Sequence, residues 1–143
     1  MDISTTYKQL KELELSNKYV FHGSIKQLSI LEIKQPFNHG EKDGDPAVCA
    51  TTNIDTALFM AIYRGAQQLI TEKSRSGYGD SYYATKNVLD LVPKINGYIY
   101  VLPRGSFEKY KKEEYRSQSS IKPELVITVG AKDFPYKVNL VEL

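Results

Sequence analysis

Between Thr5 and Glu14 the apolar residues Tyr7, Leu10 and Leu13 recur among charged ones, with Leu15 just beyond. That spacing predicts a short amphipathic helix, closed by the turn-prone pair Ser16-Asn17 and laid over one edge of a sheet. The run from Lys18 to Phe21 predicts a buried strand, and Leu28 to Ile33 a turn followed by a short extended piece. From Lys34 to Pro46 the chain is rich in Pro, Gly, Asn and Asp, the composition of a surface loop long enough to act as a lid or binding loop. Ala47-Val48-Cys49-Ala50-Thr51 predicts a second strand. Asn53 and Asp55 then start a helix whose apolar stripe is Ile54, Leu58, Ala61, Ile62, Ala66 and Leu69.

The stretch from Lys73 to Asn87 carries Ser, Gly and Tyr with no period, which predicts an irregular excursion over about residues 73–96. Beyond Asn96-Gly97, the run Tyr98-Ile99-Tyr100-Val101-Leu102 predicts a central strand that ends at Pro103-Arg104-Gly105. Leu125 to Val129 repeats that character, and Lys137 to Val141 alternates near the end. Connections this short leave no room for a helix between every pair of strands. The expectation is a single α+β domain over residues 1–143 with a mostly antiparallel sheet.

A chain of 143 residues supports one domain with a core, and its 41% hydrophobic and 25% charged content is that of a globular protein. A net charge of +2 argues against an extended nucleic-acid surface, and the basic cluster Lys109, Lys111, Lys112 runs directly into Glu113 and Glu114. The single cysteine, Cys49, excludes an intramolecular disulfide and a multi-cysteine metal site, so no metal is expected. The polar start of the sequence and the lack of any long apolar run predict a cytoplasmic protein that does not enter a membrane.

The triplet His22-Gly23-Ser24 ends the first predicted strand. It sets an imidazole beside a backbone that a flat ligand can approach closely, although a histidine after an apolar run also serves as a satisfied structural residue. Glu124, after Pro123, starts a late strand; it reads either as a site carboxylate or as a solvated strand end. Glu108, Glu113 and Glu114 read as solvated, and Arg116 either meets a phosphate or pairs with one of these carboxylates, the pair being favoured.

The order of these pieces, together with the stretch Gly97 to Glu108 and Tyr115-Arg116-Ser117, resembles the ADP-ribosyltransferase superfamily in its diphtheria-toxin-like and polymerase-like branch. In scale and in its C-terminal half the chain is most similar to the small rifamycin-modifying transferases. The resemblance covers about residues 18–141 and implies an ADP-ribosyltransferase-like fold, a mostly antiparallel split sheet with a few helices. It further implies NAD as a substrate, with the backbone of Gly23 holding the nicotinamide amide, Ser24 assisting there, His22 binding a ribose hydroxyl and Glu124 as the catalytic carboxylate. One departure stands out: where relatives carry an aromatic that stacks on nicotinamide, this chain has Cys49 or Val48, so Tyr63 or a tyrosine of the Tyr78 to Tyr83 segment is the expected substitute. Cys49 itself reads as a small buried apolar residue, since no second histidine is placed to activate it.

Three functions follow from the resemblance. The first is NAD-dependent ADP-ribosyl transfer to a small molecule, a protein or a nucleic acid. The second is a degenerate member of the same fold that binds a nucleotide or a macromolecule without turnover. The third, ranked last, is RNA 2′-phosphotransfer, because Arg64, Arg75, Arg104 and Arg116 do not fall in that family's pattern.

Overall fold

A computed structural model describes residues 3–143. Helix α1 (Thr5–Leu15) opens on Ser4, whose Oγ accepts the Tyr7 N–H at 3.0 Å, and it buries Tyr7 and Leu10 as the pattern predicts. Strand β1 (Tyr19–Ser24) runs through the whole His-Gly-Ser triplet. The segment expected as a plain loop contains a small hairpin, β2 (Phe37–Asn38) and β3 (Glu41–Lys42). It turns on His39 and Gly40 at φ 53° and 81°, the paired positive values of a two-residue hairpin. Leu28 to Ile33 forms no strand, and only Leu31 bridges to Ile121.

After β4 (Val48–Thr51), the Asn53 side chain accepts the N–H groups of Asp55 at 2.9 Å and Thr56 at 3.3 Å, which starts α2 (Ile54–Phe59). The helix continues through a π turn, Met60–Arg64, into α3 (Gly65–Gln68). Ile54 to Ala66 are buried at the predicted positions, whereas Leu69 lies past the helix end and is exposed.

The expected irregular excursion is ordered structure: β5 (Ser76–Tyr78), β6 (Tyr82–Ala84) and α4 (Lys86–Leu91). Its register comes from a distant partner, because β11 (Val138–Leu140) lies parallel beside β6. Tyr82 packs edge-on against Phe134 at 4.8 Å between centroids. No local period announces a hairpin that a strand over fifty residues away completes.

The main sheet is formed by β10, β7, β1, β4, β9 and β8 in that order, where β7 is Gly97–Pro103, β8 Glu108–Lys109, β9 Glu114–Ser117 and β10 Leu125–Val129. Every registered neighbour in it is antiparallel. The fold is therefore α+β with mostly antiparallel sheets and few helices. One face packs Phe21, Ile99 and Val101 against the helices, and the other packs Val20, Tyr100 and Leu102 with Leu31 and Phe107. No helix among the described residues is long and apolar enough to cross a membrane.

Candidate functional site

Strand β1 pairs with β7 along its whole length, from Tyr19 opposite Pro103 to Ser24 opposite Tyr98. With β4 it registers only once, Phe21 opposite Thr51. The Lys18 carbonyl accepts the Arg104 N–H at 3.0 Å on the β7 side, so by strand alternation Gly23 turns its own N–H and C=O toward β4, past the last registered pair. The sheet is split at this point, and a cavity of about 400 Å³ opens there. That volume is within the range of small-molecule sites.

His22 stands at the split. Its Nδ1 lies 2.8 Å from the carbonyl oxygen of Cys49 on β4. A carbonyl only accepts, so Nδ1 carries the proton and Nε2 keeps a lone pair for a donor such as a hydroxyl. Burial pushes the imidazole below histidine's ordinary value, against the opposing effect of the Cys49 carbonyl, and the charge of Lys34 adds to the lowering. The ring is therefore neutral at physiological pH. An unfolded chain takes up this proton near about pH 6.5, the folded chain only at lower pH, so the group costs nothing above that value and destabilises as pH falls. The thermal midpoint of the parent protein is expected to drop more steeply than that of His22→Gln between about pH 6.5 and pH 5; parallel curves would show that the buried imidazole is not the cause.

Gly23 has a second constraint. A Cβ built there stands 2.0 Å from the Ala57 carbonyl oxygen and 2.9 Å from the Ala61 nitrogen, so it is the helix that comes close to this glycine. Its side faces α2 and the π turn, while its peptide groups face the split. Ser24 is placed differently: its Oγ accepts the Lys26 N–H at 3.1 Å, closing the turn after β1, and it does not line the cavity.

Two carboxylates line the cavity, Glu114 on β9 and Glu113 just before it, with the Lys111-Lys112 pair beside them on the β8–β9 connection. Strand β9 adjoins β4, with Glu114 opposite Thr51. Glu124 is not brought to the site. It is exposed at the start of β10, where its N–H binds the Val101 carbonyl at 2.9 Å, and β7 stands between β10 and β1. The cleft opens on the opposite side of β1, and Glu124 does not line it.

Of the tyrosines expected near the site, Tyr78 lines the cavity and Tyr63 does not. Tyr78 is held edge-on by Phe59 at 5.5 Å, whereas Tyr63 is buried and stacks on Phe59 at 5.2 Å within the core. Cys49 lines the cavity from β4, and burial pushes its thiol up, which keeps it protonated at neutral pH and unlike a nucleophile. Arg116 forms the carboxylate pair favoured from sequence, with Nε 2.7 Å from Glu114 Oε2.

No protein-family model, curated protein or solved structure matches the chain. No group of three or more metal-ligating side chains occurs among the described residues.

Proposed function

We propose that this chain is an ADP-ribosyltransferase-like protein that transfers ADP-ribose from NAD to an acceptor. One observation carries the reading: the split between β1 and β4 gathers a neutral imidazole, the peptide groups of Gly23, the Tyr78 ring and the Glu114 carboxylate around one cavity. This set of groups supports a reading in which a nicotinamide-ribose bond is cleaved here. As that bond breaks, nicotinamide leaves with the electron pair and positive charge develops on the ribose, which a fixed carboxylate stabilises. Glu114 is assigned that role. Gly23 N–H and C=O bind the carboxamide, His22 Nε2 accepts a ribose hydroxyl, and Tyr78 stacks on the departing ring, an interaction contributing roughly 1 kcal/mol beyond burial. The acceptor's nucleophile then bonds to the anomeric carbon and loses its proton.

Isothermal titration of NAD onto the parent and onto His22→Ala tests the reading, with release of nicotinamide followed in parallel. The variant is expected to bind about tenfold more weakly, the value of one well-placed hydrogen bond and the orientation it gives. Equal affinity in the two chains would put the site elsewhere. The lack of a ring on β4 motivates a second reading, a member that binds NAD without turnover; binding with no release of nicotinamide is its signature. RNA 2′-phosphotransfer has less support. Arg64 binds the Ser76 carbonyl and Arg104 the Tyr115 hydroxyl, and neither lines the cavity.

A further inference from the structure

Arg116 does not line the site cavity, yet its side chain is only 8% exposed and every part of its guanidinium is engaged. Nε binds Glu114 at 2.7 Å, NH2 binds the Asp43 carboxylate at 3.1 Å, and NH1 binds the Asp43 carbonyl. The guanidinium lies over the Tyr110 ring at 3.6 Å, and the Tyr110 hydroxyl donates to the other Asp43 oxygen at 2.8 Å. Tyr110, Lys111 and Arg116 together hold the Asp43 carboxyl below its ordinary value, so the anchor stays charged. A planar fork bound at both ends fixes direction, which a flexible ammonium does not.

Resting on the reading of Glu114 above, we infer that Arg116 is a positioning residue that holds the Glu114 carboxylate toward the split sheet. Asp43 makes that hold depend on the loop after the β2–β3 hairpin. The catalytic carboxylate of the proposed transfer is thereby tied to the segment from Lys34 to Pro46. A loop that moves on binding an acceptor would shift Asp43, Arg116 and Glu114 as one unit.

A double-mutant cycle tests this with Arg116→Gln, Glu114→Gln and their combination, reading kcat for nicotinamide release beside the Kd for NAD. Arg116→Gln is expected to lower kcat by about a hundredfold, the scale on which small misplacements act, with Kd changed less than about threefold. In the Glu114→Gln background the same change is expected to have almost no further effect, because the group it positions is gone. Arg116→Lys restores part of kcat. If Arg116→Gln does not fold, Asp43→Asn takes its place in the cycle, with an expected loss of about tenfold. Equal losses in both backgrounds, or unchanged kcat in a folded variant, overturn the inference while leaving Glu114 in place. A parent that releases nicotinamide no faster than Glu114→Gln overturns the underlying reading and this inference with it.

Discussion

Glu114→Gln is expected to lower nicotinamide release from NAD by about 10²–10³, the usual effect of removing one electrostatic stabiliser from a transition state. Glutamine keeps the size of the side chain, and its amide oxygen still accepts from Arg116 Nε, so the fold and the NAD affinity are expected to hold. On the proposed reading, what is lost is the full negative charge opposite the ribose, which matters only as positive charge develops. Glu124→Gln is the matching comparison and is expected to behave as the parent, since its carboxylate is exposed on the far side of β7. Steady-state release of nicotinamide from the three chains decides between the two acids. Loss confined to Glu124→Gln would return the catalytic role to β10.

Gly23→Ala is expected to destabilise the fold by about 3 kcal/mol or more, at the upper end of overpacking effects. The added Cβ would stand 2.0 Å from the Ala57 carbonyl oxygen, and the obstacle is helix backbone, which has no rotamer to offer. Strand β1 cannot move aside either, being paired along its length with β7. Gly97 has the same constraint, 2.4 Å from the Ala61 carbonyl oxygen. The two glycines thus let α2 and the π turn lie directly on the sheet beside the site. Gly79→Ala and Gly105→Ala, where nothing lies within 4 Å, are expected to stay within about 0.5 kcal/mol of the parent. Urea denaturation of the three variants measures the contrast; a Gly23→Ala chain as stable as Gly105→Ala would mean that the helix can retreat from β1 at little cost.

Gly23 shows how sequence and structure divide the site between them. From sequence it is a backbone that a ligand can approach. In the fold its missing side chain makes room for a helix, and only its peptide groups, turned edgewise to β4, remain for a ligand. Tyr63 and Tyr78 divide in a similar way. Both are tyrosines that follow the second predicted strand in the chain, but the helical period places Tyr63 in the core, while the β5–β6 hairpin carries Tyr78 to the cavity. The hairpin itself was hidden because its register depends on β11 and on the Phe134 contact, neither of which is local.

Short-range signals determined α1, the helix starting at Asn53 and the strands β1, β4, β7 and β10. Each follows from side chains a few positions apart, where hydrophobic period and capping act directly on the backbone. Tertiary structure decided that Glu114, and not Glu124, lines the cavity that His22 also lines. Glu114 and Glu124 are near neighbours in the chain, and each lies at the start of a strand. Sheet order alone separates them, because β9 closes against β4 on the open side of β1 while β10 is set behind β7. Strand order is a property of long-range pairing, with no counterpart in the local pattern of residues.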